Sequence, residues 1–236
     1  MATRSIFLPV AGTRRFYIGI SLLAVLIVAM GFWPTYFGPL LAGTADHPPV
    51  IHVHAAIFSG WLALFGAQVV LAATGQIALH RKVGEVGIWY GVVVIIVGLT
   101  TAFSQFADRV EAGRLEEAQT RLLAPFTDMI VFPIFFGAAV YYRRKPEIHK
   151  RLMLVATTTL LVAASLRMGF LPRPMRLLVW FSPILFGMAY DLIKRRSIHP
   201  VYIIGLAALY VLSMRGALVD TEAWLAFSGW LATLVS

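Results

Sequence analysis

Six histidines are the residues of this sequence best suited to chemistry, and all six fall near the ends of long apolar runs. His47, His52 and His54 gather on one side of those runs, and His80, His149 and His199 on the other. Imidazole suits zinc, copper, iron and nickel alike. The chain has no cysteine, which excludes disulfides, thiolate metal sites, thiol nucleophiles and covalently attached c-type haem. His149 and Met153 stand four residues apart on one helix face, a spacing that sets an imidazole and a thioether beside the same metal or haem. His80 and His199 complete a candidate cofactor-binding set on that side. His52 and His54 are the candidate metal ligands of the opposite side. If both are helical they point about 200° apart and cannot share one ion, whereas an extended backbone at His52 permits it. A helical path from His54 to His80 measures about 39 Å, close to a whole bilayer, so the two groups hold no common ion.

A second group of residues is polar where the surroundings are not. His54 lines up with Trp61 and Gln68 at helical seven-residue intervals, a stripe that drifts by only about 20° per interval and should face other helices. Asp128 and Arg167 fall inside apolar stretches, where a charge is costly unless paired or functional. They lie at similar distances on either side of Pro146, which predicts an ion pair between adjacent antiparallel helices. Arg215 reaches a similar depth. Gln68, Asp128, Arg167 and Arg215, together with His54, are thus expected around one polar pocket in the outer third of a bundle.

The elements that must position these residues are helices in lipid. Only 13% of the residues are charged and 59% are hydrophobic, against roughly a quarter charged in a soluble domain. The apolar runs approach the ~20 residues that cross ~30 Å of hydrocarbon, and they lack the alternation of barrel strands. The chain therefore reads as all-α, a polytopic membrane protein of about seven transmembrane helices forming one domain over residues 1–236. Spans are expected at about 16–36, 51–74, 85–106, 125–142, 151–171, 176–192 and 200–216. The segment 34–50 is read as a non-spanning link, and the charged stretch 108–121 as a short helix on the surface. Residues 217–236, with Trp224 and Trp230, read as an interfacial tail.

Orientation follows from Lys and Arg in short loops. Arg81, Lys82, Arg143, Arg144, Lys145, Lys194, Arg195 and Arg196 fall on the side of the short tail 1–15, which places the N-terminus in the cytoplasm. The first apolar run, longer than a signal-peptide core, reads as an uncleaved anchor. The net charge of +9 is spread between apolar runs rather than gathered on one soluble surface, so nucleic acid is not an expected partner. The bilayer is.

The pieces His52-x-His54, Trp61, Gln68, His80-Arg81-Lys82-Val83-Gly84, His149-Lys150-Arg151-Leu152-Met153 and Asp191 with His199-Pro200 resemble a group of uncharacterised bacterial polytopic inner-membrane proteins, from about residue 33 onward. The His80 and His149 segments are also similar to pieces of small membrane haem proteins that assist cytochrome oxidase maturation. That likeness implies b-type haem held by histidine, and respiratory-chain partners. Membrane b-type cytochromes hold haem between histidines well inside facing helices, whereas here the histidines stand at helix ends, so a haem near one face or a mononuclear transition metal is easier to accommodate. Three functions follow as expectations: a redox or oxidase-assembly protein with haem or metal, a small-molecule or ion binding or transport protein using the polar pocket, and a scaffold in a larger membrane complex. A retinal protein is excluded because the seventh span contains no lysine. No phosphate-binding Gly-Lys-Ser loop, Gly-x-Ser-x-Gly or His-Glu-x-x-His occurs.

Overall fold

Every long apolar run becomes a helix, because in lipid only a helix satisfies its own backbone groups without a neighbour. The computed structural model describes residues 11–235, and the expectation for the start of the cytoplasmic tail, Arg4 included, lies outside them. The chain is all-helical, with no strand among the described residues. Helix α1 (Ala11–Phe32) continues through a π-helical turn (Trp33–Phe37) into α2 (Gly38–Leu41). It is followed by α3 (Pro49–Ala73), α4 (Ile77–Glu111), α5 (Leu115–Tyr141), α6 (Pro146–Leu160), α7 (Val162–Leu166), α8 (Arg173–Arg195), α9 (Pro200–Ser213) and α10 (Glu222–Ala232).

Five helical segments are long and apolar enough to cross a membrane: Gly12–Leu41, Pro49–Ala73, Ile77–Glu111, Leu115–Tyr141 and Arg173–Arg195. Large apolar side chains cover their outward faces, with Leu22, Val86, Trp89 and Ile134 exposed. So much contiguous apolar surface is stable against lipid and not against water. The apolar helices are those of an integral membrane protein in a bilayer.

Short turns make successive helices antiparallel neighbours. Gly75, at a φ of +79°, closes the turn between α3 and α4, and Gly113, at +72°, that between α4 and α5; both need the left-handed region that favours glycine. α6 runs through the middle of the bundle, where Leu154, Val155, Ala156, Thr158 and Thr159 are all buried. The threonine hydroxyls donate back to carbonyls one turn earlier, Thr158 to Leu154 at 2.8 Å and Thr159 to Val155 at 3.2 Å, so these two donors are paired within the helix itself. α1 passes so close to α7 that a Cβ at Gly31 would run into the Ala164 carbonyl.

Three expectations are corrected. The first span does not give way to a link at residues 34–36: the wider π-helical turn takes Pro34 in its first positions and carries the helix to Leu41. The stretch 108–121 is not a separate surface helix, since α4 runs to Glu111 and α5 starts at Leu115. At ~1.5 Å per residue the 35 residues of α4 exceed the bilayer thickness, so its charged ends project beyond the hydrocarbon. The tail is also more than an interfacial strip. α10 docks on α4 and α5, with Trp224 buried and its indole N–H donated to the Gln119 carbonyl at 3.1 Å, while Trp230 stays exposed.

Candidate functional site

The two ends of the bundle differ: a pocket end lies beside His54 and a clamp end beside His149. At the pocket end the π-helical turn after α1, the start of α3, the end of α4, the start of α5 and the end of α7 enclose a cavity of about 840 Å³. Its walls are apolar along Phe58, Leu62 and Met129, and charged toward the mouth.

α5 carries Asp128 into this wall, where it pairs with Arg215 from just beyond α9. The Arg215 guanidinium also donates to the Ala124 carbonyl at 3.2 Å and the Thr127 hydroxyl at 3.1 Å. Arg167, at the last turn of α7, lies over the Phe32 ring at 4.7 Å and donates to the Ala163 carbonyl at 3.0 Å. It makes no ion pair among the described residues. Farther out, Glu117 is shared by Arg109 at 3.6 Å, Arg114 at 3.0 Å and Arg121 at 2.7 Å. With Asp108 also lining the cavity, Arg109, Arg114, Arg121 and Arg167 stand against the two carboxylates of Asp108 and Glu117, which leaves the mouth positive. Deeper in, Trp61 is 2% exposed, and its indole N–H is buried without a partner, as is Nδ1 of His54, whose ring stacks on Phe58 at 4.1 Å. Buried polar atoms of a native protein are nearly always bonded. Both residues line the cavity.

The structure thus gathers His54, Asp128, Arg167 and Arg215 around one cavity and corrects two details. Asp128 pairs with Arg215, not with Arg167: the helix path breaks at Leu161, and the short α7 turns Arg167 toward Phe32 and Ala163. Gln68 is not at this pocket. It shares a helix face with His54 but stands about 21 Å farther along α3, at the clamp end.

His52 and His54 do not form a joint metal site, because α3 begins at Pro49 and both are helical. His52 turns away, with its Nδ1 3.1 Å from the Tyr36 hydroxyl and its ring edge-on to His47 at 6.2 Å.

At the clamp end the candidate cofactor set divides. The His80 and His149 rings meet, with centroids 6.5 Å apart and planes at 84°. His80 Nδ1 lies 3.2 Å from the Gln68 carbonyl of α3, and His149 Nδ1 2.8 Å from the Ala139 carbonyl of α5. Met153 is half-buried against the core one turn beyond His149. His199 is elsewhere engaged: it caps α9 by accepting from the Val201 N–H at 3.3 Å, and its own N–H donates to Asp191. Asp191 belongs with Arg151, two residues after His149 and hence on a different face of α6.

The Arg151–Asp191 pair is the feature sequence reading misses. Both side chains are 1% exposed. Arg151 donates from Nε and Nη2 to the Asp191 carboxylate, and from Nη1 to the Glu147 carbonyl at 2.7 Å and carboxylate at 2.9 Å. Arg195 joins Glu147, tying α6 to α8. Glu147 stands in the first turn of α6, outside the hydrocarbon. Burial alone pushes its carboxyl up, but hydrogen bonds from Lys150 and Arg151 and the charges of Lys150 and Arg195 overcome this and lower the pKa to about 2. The only sequence signal for the clamp is an Asp at the end of an otherwise apolar, basic-tailed helix; Arg151 hides in a run of loop-like charge.

Among the described residues no three or more His, Cys, Asp or Glu side chains gather as metal ligands. No protein-family model, curated protein or solved structure matches this chain.

Proposed function

We propose that this is a small-molecule-binding membrane protein whose pocket-end cavity takes an organic anion with an apolar body. The observation that carries the reading is the mismatch of the cavity wall. Among the described residues Arg167 is bonded only to the Ala163 carbonyl and faces no carboxylate, and the Trp61 N–H has no acceptor, beside apolar Phe58, Leu62 and Met129. A pocket of ~300–1,000 Å³, mostly apolar with a few placed polar groups, is typical of small-ligand sites. A carboxylate or phosphate at Arg167, with a hydrocarbon or ring along Phe58, would satisfy both.

The same reading sets the membrane arrangement. Seven crossings result if α6 with α7, and the short α9, cross inside the bundle alongside the five long segments. The basic loops at the clamp end put that end and the N-terminus in the cytoplasm of a bacterial inner membrane. The pocket then opens outward.

Calorimetric titration of detergent-purified protein with dodecanoate, dodecanol and dodecyltrimethylammonium tests the function. Dodecanoate should bind, the neutral and cationic chains should not, and Arg167→Gln should weaken binding by roughly 10- to 100-fold, the worth of a hydrogen bond to a charged group. Equal binding of all three chains, or no effect of Arg167→Gln, would refute it.

A second reading, a redox or oxidase-assembly role with b-type haem or a transition metal, draws support from the meeting of His80 with His149. It adds to the first, since the two sites lie at opposite ends of α3.

A further inference from the structure

We infer that His80 and His149 hold a single first-row transition-metal ion between their Nε2 atoms at the clamp end, with the side-chain amide oxygen of Gln68 as a third donor. The inference deepens the second reading and rests on it only for the choice of residues; it stands independently of the anion pocket. Three observations carry it.

The first is tautomeric. Each Nδ1 faces a main-chain carbonyl, Gln68 for His80 and Ala139 for His149. A carbonyl only accepts, so both Nδ1 atoms carry the proton and both Nε2 atoms present a lone pair. A ring held through one nitrogen by a backbone carbonyl, with the other left as a base, is the arrangement found behind metal-bound histidines. No group is hydrogen-bonded to either Nε2 among the described residues.

The second is spacing. Ligating imidazole nitrogens lie about 2 Å from the ion, so two rings on opposite sides of one ion have centroids roughly 6 Å apart. The observed 6.5 Å, with planes at 84°, is at that wide-angle limit. The two rings come from α4 and α6, separated in order by α5, and each is pinned by a carbonyl of yet another helix, so the pair is held by the bundle rather than by its own loops.

The third is the state of Gln68. Both polar atoms of its side chain are buried without a partner, although its own backbone carbonyl is what holds His80. Its amide nitrogen lies 3.5 Å from where a Cβ of Gly84 would be. Gly84 is one helical turn beyond His80 on the same face of α4, which puts the amide on the face of α4 that carries His80. Turning its oxygen to an ion would give that amide the partner it lacks. Imidazole and amide donors suit Zn²⁺, Cu²⁺ and Co²⁺.

The test is metal titration of purified, chelator-treated protein. Co²⁺ should bind with a stoichiometry of one per chain and develop visible absorption, Zn²⁺ should displace it, and the Cu²⁺ complex should show electron paramagnetic hyperfine structure from two equivalent nitrogens. That spectrum needs no variant and so survives any folding defect. His80→Gln and His149→Gln should each weaken Co²⁺ binding at least tenfold, and Gln68→Ala less, while His54→Gln at the other end leaves it unchanged. Unaltered affinity in both histidine variants, or no nitrogen coupling in the Cu²⁺ spectrum, overturns the site. A Soret band in protein purified without added metal, lost in His80→Gln, overturns the bare ion in favour of haem. Loss of dodecanoate binding in His80→Gln, His149→Gln or Gln68→Ala is not expected, so failure of this site and failure of the anion pocket are read separately.

Discussion

The bundle contains two buried aspartate–arginine pairs, one at each end, and they differ in how completely they are closed. Arg151 and Asp191 are each 1% exposed, and every arm of the guanidinium is used. Asp128 and Arg215 are each 12% exposed, and all hydrogen bonds of Arg215 leave from one nitrogen, Nη1. The first pair ties α6 to α8 through solid packing, under the Tyr202 ring at 5.5 Å. The second forms one wall of a void whose other walls hold unpartnered donors. The same two residue types therefore serve as a fastening where the polar network is complete and as part of the proposed binding site where it is not. Completeness, rather than the presence of charge in the membrane, separates the two roles.

The sharpest way to break this contrast is to cut each pair in turn. Arg151→Leu should cost about 3–5 kcal/mol of unfolding free energy in detergent, because it strands a fully buried carboxylate. Arg151→Leu combined with Asp191→Leu should recover much of that loss, since replacing both charges with apolar groups can be neutral. Asp128→Asn should cost about 1–3 kcal/mol, as Arg215 keeps Ala124, Thr127 and the open cavity. Equal losses at the two ends, measured by denaturant titration, would erase the distinction.

A smaller effect concerns the rim of the clamp. Glu147 has its pKa lowered to about 2 in the folded protein, so its contribution to stability is present above its unfolded value near 4.5 and is lost as pH falls toward 2. Its side chain is 47% exposed, so water screens most of the interaction. The melting temperature of the native chain should fall between pH 5 and pH 2 slightly more than that of Glu147→Gln. Parallel curves would show that Arg151 and Asp191 hold the clamp without it.

Helix content and lipid contact are legible in the sequence because both follow from composition and run length. Pairing is not. Asp128 and Arg167 look matched in depth, yet depth counted along straight helices ignores the break at Leu161 that turns Arg167 aside. Gln68 looks like part of the pocket because a seven-residue stripe reports the face of a helix and not its level. Helix ends mislead for a similar reason. His80 lies in the first turns of α4 rather than at the end of the preceding span, and it is this position that lets it reach back to Gln68 and across to His149. Arg151 is invisible as a core residue because its neighbours Lys150 and Arg144 share its charge, and only the fold shows which of them turns inward.

The absence of cysteine from the chain permits a direct test of the central claim, that one end is hollow and positive while the other is solid. Ala163→Cys places a thiol on the cavity wall beside Arg167, and Ala156→Cys places one in the core, where the native residue is 0% exposed. In intact cells, an anionic membrane-impermeant methanethiosulfonate should label position 163 rapidly, faster than its cationic counterpart, and leave position 156 untouched. Labelling of both positions at similar rates, or faster labelling of 163 by the cationic reagent, would contradict the proposed opening of a positive cavity on the outer face.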